Sequence, residues 1–223
     1  ARVDNQDVEL QNGTELDKGT IVTFTADPKP LYEVDSWTVG ESSNKTITVT
    51  LKEKKTTVCV FFKLKQFKVT FAPEPVEGGS VTAFIDEKPH ENNTEVEAGK
   101  NVTFKAEANS GYYLDHWEGW DEASDKGEAS EVQVQVKNPL AVTAVFKKLY
   151  PVTFASTDEN KGTVTATVNG ESIESGANVR EGANIVFTAT PKPDYYVKAW
   201  SGVTPQTAVP QTEPMEATIV VSE

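Results

Sequence analysis

Residues Gly99–Trp117 read GKNVTFKAEANSGYYLDHW, and the chain writes this stretch three times. Gly19–Trp37 reads GTIVTFTADPKPLYEVDSW and Gly182–Trp200 reads GANIVFTATPKPDYYVKAW. In each copy the glycine precedes the tryptophan by 18 positions, and successive copies begin 80 and 83 residues apart. Recurrence at a fixed long period marks tandem modules. Within a copy, Val102-Thr103-Phe104-Lys105-Ala106 alternates apolar and polar, as a strand with one buried face does. Phe24, Phe104 and Phe187 share one slot of this strand. A turn rich in Pro or Gly follows, and then Tyr32, Tyr112 and Tyr195 align, with Val34, Leu114 and Val197 two places on. Trp37, Trp117 and Trp200 come three places later, on the opposite parity. For Tyr, aliphatic and Trp to enter one core, a β-bulge must insert one residue between the aliphatic and the Trp. Phe24, Tyr32, Trp37, Phe104, Tyr112, Trp117, Phe187, Tyr195 and Trp200 are therefore the expected structural core.

Working outward, the second copy opens with Phe67–Phe71, then Gly78-Gly79 and Ser80–Ile85. The third opens with Val152–Phe154, then Lys161-Gly162 and Thr163–Val168. Glycine between alternating runs is a hairpin signal. Ala1-Arg2-Val3 matches the end of that second strand, so the first copy lacks its opening strand. After the Trp comes a variable loop and a closing hairpin: Thr46–Leu51 with Thr57–Phe62, then Glu131–Val136 with Ala141–Phe146. In the third copy only Glu216–Val221 remains. The expected modules are residues 1–65, 66–148 and 149–223, the first and last incomplete. The fold class is all-β, three small modules of β-grasp or sandwich type, and no window keeps a 3.6-residue apolar period. The junctions Lys63–Gln66 and Lys147–Leu149 are neither Gly/Ser tethers nor Pro-rich spacers, which favours a semi-rigid array.

With 21 Lys and Arg against 34 Asp and Glu, the chain carries a formal charge of −13. That balance opposes binding to nucleic-acid phosphates or anionic lipid. No segment is apolar enough to cross a membrane, and the chain reads as a piece of a longer, exported polypeptide. Cys59 is alone and excludes a disulfide within the chain. It sits in Val58-Cys59-Val60, an ordinary strand context. The two histidines, His90 and His116, offer no zinc spacing, and neither a G-x-S-x-G elbow nor a phosphate-cradling glycine loop occurs. No cofactor and no enzymatic activity are expected. The acidic loop Asp115, Glu118, Asp121, Glu122 and Asp125 matches no indexed calcium loop and reads as solvated.

These residues resemble a known family. The second copy runs from KVTFAPEPVEGGSVTA through GKNVTFKAEANSGYYLDHWEGW to EVQVQVKNPLAVTAVF, which is similar to the divergent internalin-type B-repeat, also called the Listeria–Bacteroides repeat. Departures are Leu31 and Asp194 where a glycine precedes the Tyr, and Thr38-Val39-Gly40 after Trp37. The resemblance implies a small β-rich module of bacterial cell-surface or secreted proteins, serving as a spacer or adhesion repeat, with no catalytic residue to transfer. Against it stands a carbohydrate- or protein-binding reading. Tyr113, His116 and Trp120 lack aromatic counterparts in the first copy and are the candidate ligand contacts, toward a host or cell-surface protein or a glycan. The expected state is a monomer, any dimer forming through the incomplete edge strands.

Overall fold

The computed structural model describes residues 1–4, 9–40, 42–119, 127–203 and 213–222. The described residues form strands throughout, apart from turns and one 3-10 segment at Val76–Gly78. The first copy supplies β1 (Arg2–Val3), β2 (Ile21–Thr25), β3 (Tyr32–Trp37), β4 (Thr46–Thr50) and β5 (Val60–Leu64). In the second lie β6 (Gln66–Glu74), β7 (Gly79–Ile85), β8 (Lys88–His90), β9 (Thr94–Glu97), β10 (Asn101–Ala108), β11 (Tyr112–Glu118), β12 (Glu131–Gln135) and β13 (Leu140–Val152). The third adds β14 (Gly162–Val168), β15 (Glu171–Ile173), β16 (Ala177–Arg180), β17 (Asn184–Pro191) and β18 (Met215–Val220).

The strands sort into a sheet β1-β2-β4 and a pair β3-β5, then sheets β12-β10-β7-β8 and β11-β13-β6-β9, with β16 also paired to β13. A last sheet runs β15-β14-β17-β18. Each copy thus sends its strands to two sheets, and this corrects both expected hairpins. β4 pairs with β2 while β5 pairs with β3, and β6 and β7 likewise belong to different sheets. The reason is physical. Strands that each bury one alternating face, as β4 and β12 do, can cover a core from opposite sides. The tight hairpins lie elsewhere: β7–β8 turns on Asp86 and Glu87 and β14–β15 on Asn169 and Gly170, all four at positive φ, as the strand twist requires of two-residue turns.

The expected bulge is present. The β3–β5 ladder shifts between Val34 and Ser36, and the β11–β13 ladder between Leu114 and His116. The shift lets Val34 and Trp37, and likewise Leu114 and Trp117, be buried together. Where the family motif has glycine before the Tyr, Leu31, Gly111 and Asp194 all take positive φ, 71°, 83° and 69°. The turn survives both departures from glycine.

By internal contact the chain divides into two compact units. The first comprises Ala1–Phe71, Ala83–Phe104 and Gln133–Val142. Its cluster Ala26, Val34, Trp37, Ile47 and Val49 has Phe24 packed against it, and Phe71 meets Phe104 edge to face at 5.8 Å between ring centres. The second comprises Ala72–Thr82, Lys105–Val132 and Thr143–Glu223. There Ala166, Val179, Ile185 and Phe187 form a cluster joined by half-buried Phe154 and Trp200, and Trp117, Ala144 and Phe146 are buried. Of the expected core residues, Phe104, Trp117, Trp37 and Phe187 are buried, and Phe24, Tyr112 and Trp200 half-buried. Tyr32 and Tyr195 depart from the expectation, being exposed at 40% and 42%. Tyr32 opens β3, at the rim of the face it shares with Val34, and Tyr195 lies outside the strands.

Candidate functional site

The polar cluster with the most shared partners is built on β11. Alternation puts Tyr113 and Leu114 on opposite faces, and the bulge leaves Asp115 out of register, so that Asp115, His116 and Glu118 converge. Lys147 lies opposite Tyr113 on β13 and donates from Nζ to Asp115 Oδ2 at 2.9 Å. His116 donates from Nδ1 to Asp115 Oδ2 at 2.8 Å and from Nε2 to Glu118 Oε1 at 2.9 Å. Both acceptors are carboxylates, which favours the doubly protonated ring. The Glu118 and Asp115 contacts accordingly hold the His116 pKa above its usual value. Partial burial works to raise the Asp115 pKa, but Lys147 and His116 outweigh it and hold the carboxyl below its ordinary range.

A second group comes from the third copy. Arg180 ends β16, whose backbone pairs with Leu149–Val152 of β13. Its guanidinium carbon stands 4.2 Å from the Tyr113 ring centre, a cation–π distance. Its two terminal nitrogens donate to the two carboxylate oxygens of Glu128, Nη2 to Oε2 at 2.6 Å. Hydrogen bonding to Arg180 lowers the Glu128 pKa, and burial, followed by the Asp115 charge, raises that of Tyr113. Arg180, Asp115 and Lys147 thus act on one ring, and His116 ties Asp115 to Glu118 beside it.

The structure brings together Tyr113 and His116 of the expected contacts, while Trp120, Asp121, Glu122 and Asp125 lie outside the described residues. The Tyr113 ring is capped by Arg180 and both His116 nitrogens are bonded, so each is committed to a partner within the chain. Sequence reading missed Arg180, Glu128 and Lys147. One available signal was that Arg180 is one of only two arginines in the chain, and arginine is the residue for forked carboxylate pairing and ring stacking. Among the described residues no three His, Cys, Asp or Glu side chains gather as metal ligands, and Cys59 is a free, exposed thiol.

The two-sheet copies, the third joined to the second through Arg180, define a tandem array of β modules. The model of the divergent InlB B-repeat domain matches three successive segments, residues 6–66, 69–149 and 153–222. The chain belongs to that family. Neither a search of curated proteins nor one of solved structures gave a match.

Proposed function

We propose that this chain is a run of non-enzymatic spacer repeats in an exported bacterial surface protein, holding adjacent modules in set orientations. The family's occurrence in bacterial surface or extracellular proteins supports the location. The observation that carries the spacer role is the junction residue Lys65. Its N–H donates to the Leu31 carbonyl at 2.8 Å, and its own carbonyl accepts from Ala98 N–H at 2.9 Å. One residue is thereby tied to the copy before it and the copy after it, leaving no free linker to swivel. At the next junction β13 runs unbroken for 13 residues, and Leu149 N–H donates to the Gly111 carbonyl at 2.7 Å. A spacer needs this kind of connection, because a flexible linker spreads end-to-end distance as its length grows.

The exposed thiol of Cys59 provides a label site for the test. Spin labels at Cys59 and at a Lys88→Cys variant, both exposed, one in each copy flanking Lys65 and both in the first compact unit, should give a narrow distance distribution. Inserting Gly-Ser-Gly-Ser after Lys65 should broaden it severalfold. An equally broad distribution in the unmodified chain would refute the spacer reading.

A further inference from the structure

The two junctions between copies differ by one residue. Phe62 and Phe67 enclose Lys63-Leu64-Lys65-Gln66, whereas Phe146 and Tyr150 enclose only Lys147-Lys148-Leu149. The longer junction is also the interrupted one. β5 ends at Leu64 and β6 begins at Gln66, with Lys65 between them, whereas β13 runs unbroken from Leu140 to Val152. Side chains alternate along a strand, so one added residue reverses every face beyond it.

At the second junction, Tyr113 lies opposite Lys147 and Arg180 opposite Leu149. These β13 positions are two apart and so share a face of the sheet. Arg180 can therefore stand 4.2 Å from the Tyr113 ring centre while its fork grips both carboxylate oxygens of Glu128. At the first junction the corresponding slots, 80 and 83 residues earlier, hold Glu33 and Glu97. Glu33 lies opposite Lys63 and Glu97 opposite Gln66, three positions apart. The Glu33 carboxylate faces Lys63 Nζ of its own copy at 3.6 Å. The parity is reversed there, and two carboxylates replace a ring and a guanidinium.

We propose that Tyr113 and Glu128 form a recognition surface for the repeat that follows, and that it accepts one kind of neighbour. That neighbour ends its strand corresponding to β16 in arginine, and its opening strand continues its predecessor's last strand with no added residue. The planar guanidinium can stack on a ring and pair with a carboxylate in one pose, which a lysine ammonium cannot. This deepens the spacer reading and rests on it. The second junction is keyed by side chains, the first is tied through the main chain of Lys65, and successive repeats are not interchangeable.

Hydrogen exchange of the intact chain tests this through the protection factors of Ala177–Arg180. Arg180→Ala and Tyr113→Leu should each lower them about fivefold, and the double variant no further than the weaker single. Arg180→Lys should lose about as much as Arg180→Ala, and Tyr113→Phe, which keeps the ring, should lose nothing. If Tyr113→Leu fails to fold, Glu128→Gln, exposed and outside the strands, should still lower protection at least about twofold. One threonine inserted between Lys148 and Leu149 should lower protection as Arg180→Ala does, and should leave Arg180→Ala without further effect. Full protection in Arg180→Lys, or losses that simply multiply in the double variant, would overturn the proposal. The spacer reading is tested separately at Lys65. A broad label distribution there refutes that reading, whereas a narrow one with Arg180→Ala silent overturns this proposal alone.

Discussion

A Cβ on Gly79 would stand 2.5 Å from both the Glu107 carbonyl oxygen and the Phe146 ring. The Gly79 φ of 172° is extended backbone open to any residue, so the objection to a side chain here is purely one of space. Gly79→Ala should destabilise the compact unit that holds Gly79, Glu107 and Phe146 by about 1–3 kcal/mol, the usual cost of overpacking. Phe146→Leu withdraws the far end of the ring and should recover part of that loss, a coupling that urea melts of the double-mutant cycle would measure. Gly162→Ala, meeting the Thr190 carbonyl oxygen at 2.8 Å and Pro191 Cα at 3.2 Å, should cost less. The Gly-Gly pair is visible in the sequence, but as a turn signal. Composition cannot tell a glycine kept for positive φ from one kept because another chain segment lies against it. The slot before the Tyr is the opposite case. There Leu31 and Asp194 hold the left-handed turn that Gly111 holds, so a conformational role is met without the expected residue.

At the scale of the element, β11 shows what can be read from pattern and what cannot. The bulge was legible because Tyr, aliphatic and Trp break parity in all three copies, and only an inserted residue reconciles them with one core. Its polar consequence was not legible. The bulge gathers Asp115, His116 and Glu118, and β16 delivers Arg180 to the Tyr113 ring from 67 positions further along the chain. No short-range pattern encodes a contact between strands that far apart. The cluster makes stability depend on pH in two directions. His116 has a raised pKa, so its contribution is complete below the unfolded imidazole value of about 6.5 and is lost as pH rises through the folded value above it. Asp115 has a lowered pKa, so its contribution is complete above about 3.9 and is lost as pH falls through the folded value below it. In chemical melts of the intact chain, the compact unit that holds β11 should therefore lose stability as pH climbs past about 6.5. His116→Gln should remove that slope and leave the acid limb in place. An unchanged slope in the variant would show that another group titrates there. Arg180 and Glu128 stay charged across this range and should not contribute to it.

For the whole molecule, the threefold repeat was plain in the sequence, and so was the family, because spacing and residue type recur together. The inequality among the copies was less plain. The same Phe and Trp slots are filled in each, yet Phe104 and Trp117 are 0% exposed while Phe187 is 6% exposed and Trp200 half-buried. Identical side chains are covered to different degrees because the β11 counterpart in the third copy has no ladder like the one β13 gives β11. Local opening free energy follows such differences, since a segment with few buried contacts and no ladder opens without unfolding its neighbours. Amides of Tyr195–Trp200 should therefore exchange at least about 100-fold faster than those of Tyr112–Trp117 at the same pH. β17, laddered on both sides by β14 and β18, should stay protected in the same molecule. Peptide-resolved hydrogen exchange on the intact chain distinguishes this from a uniformly weak third module, in which β17 would exchange as fast as Tyr195–Trp200. Matching protection in the two Tyr-to-Trp segments would mean that the third copy closes over its core as the second does.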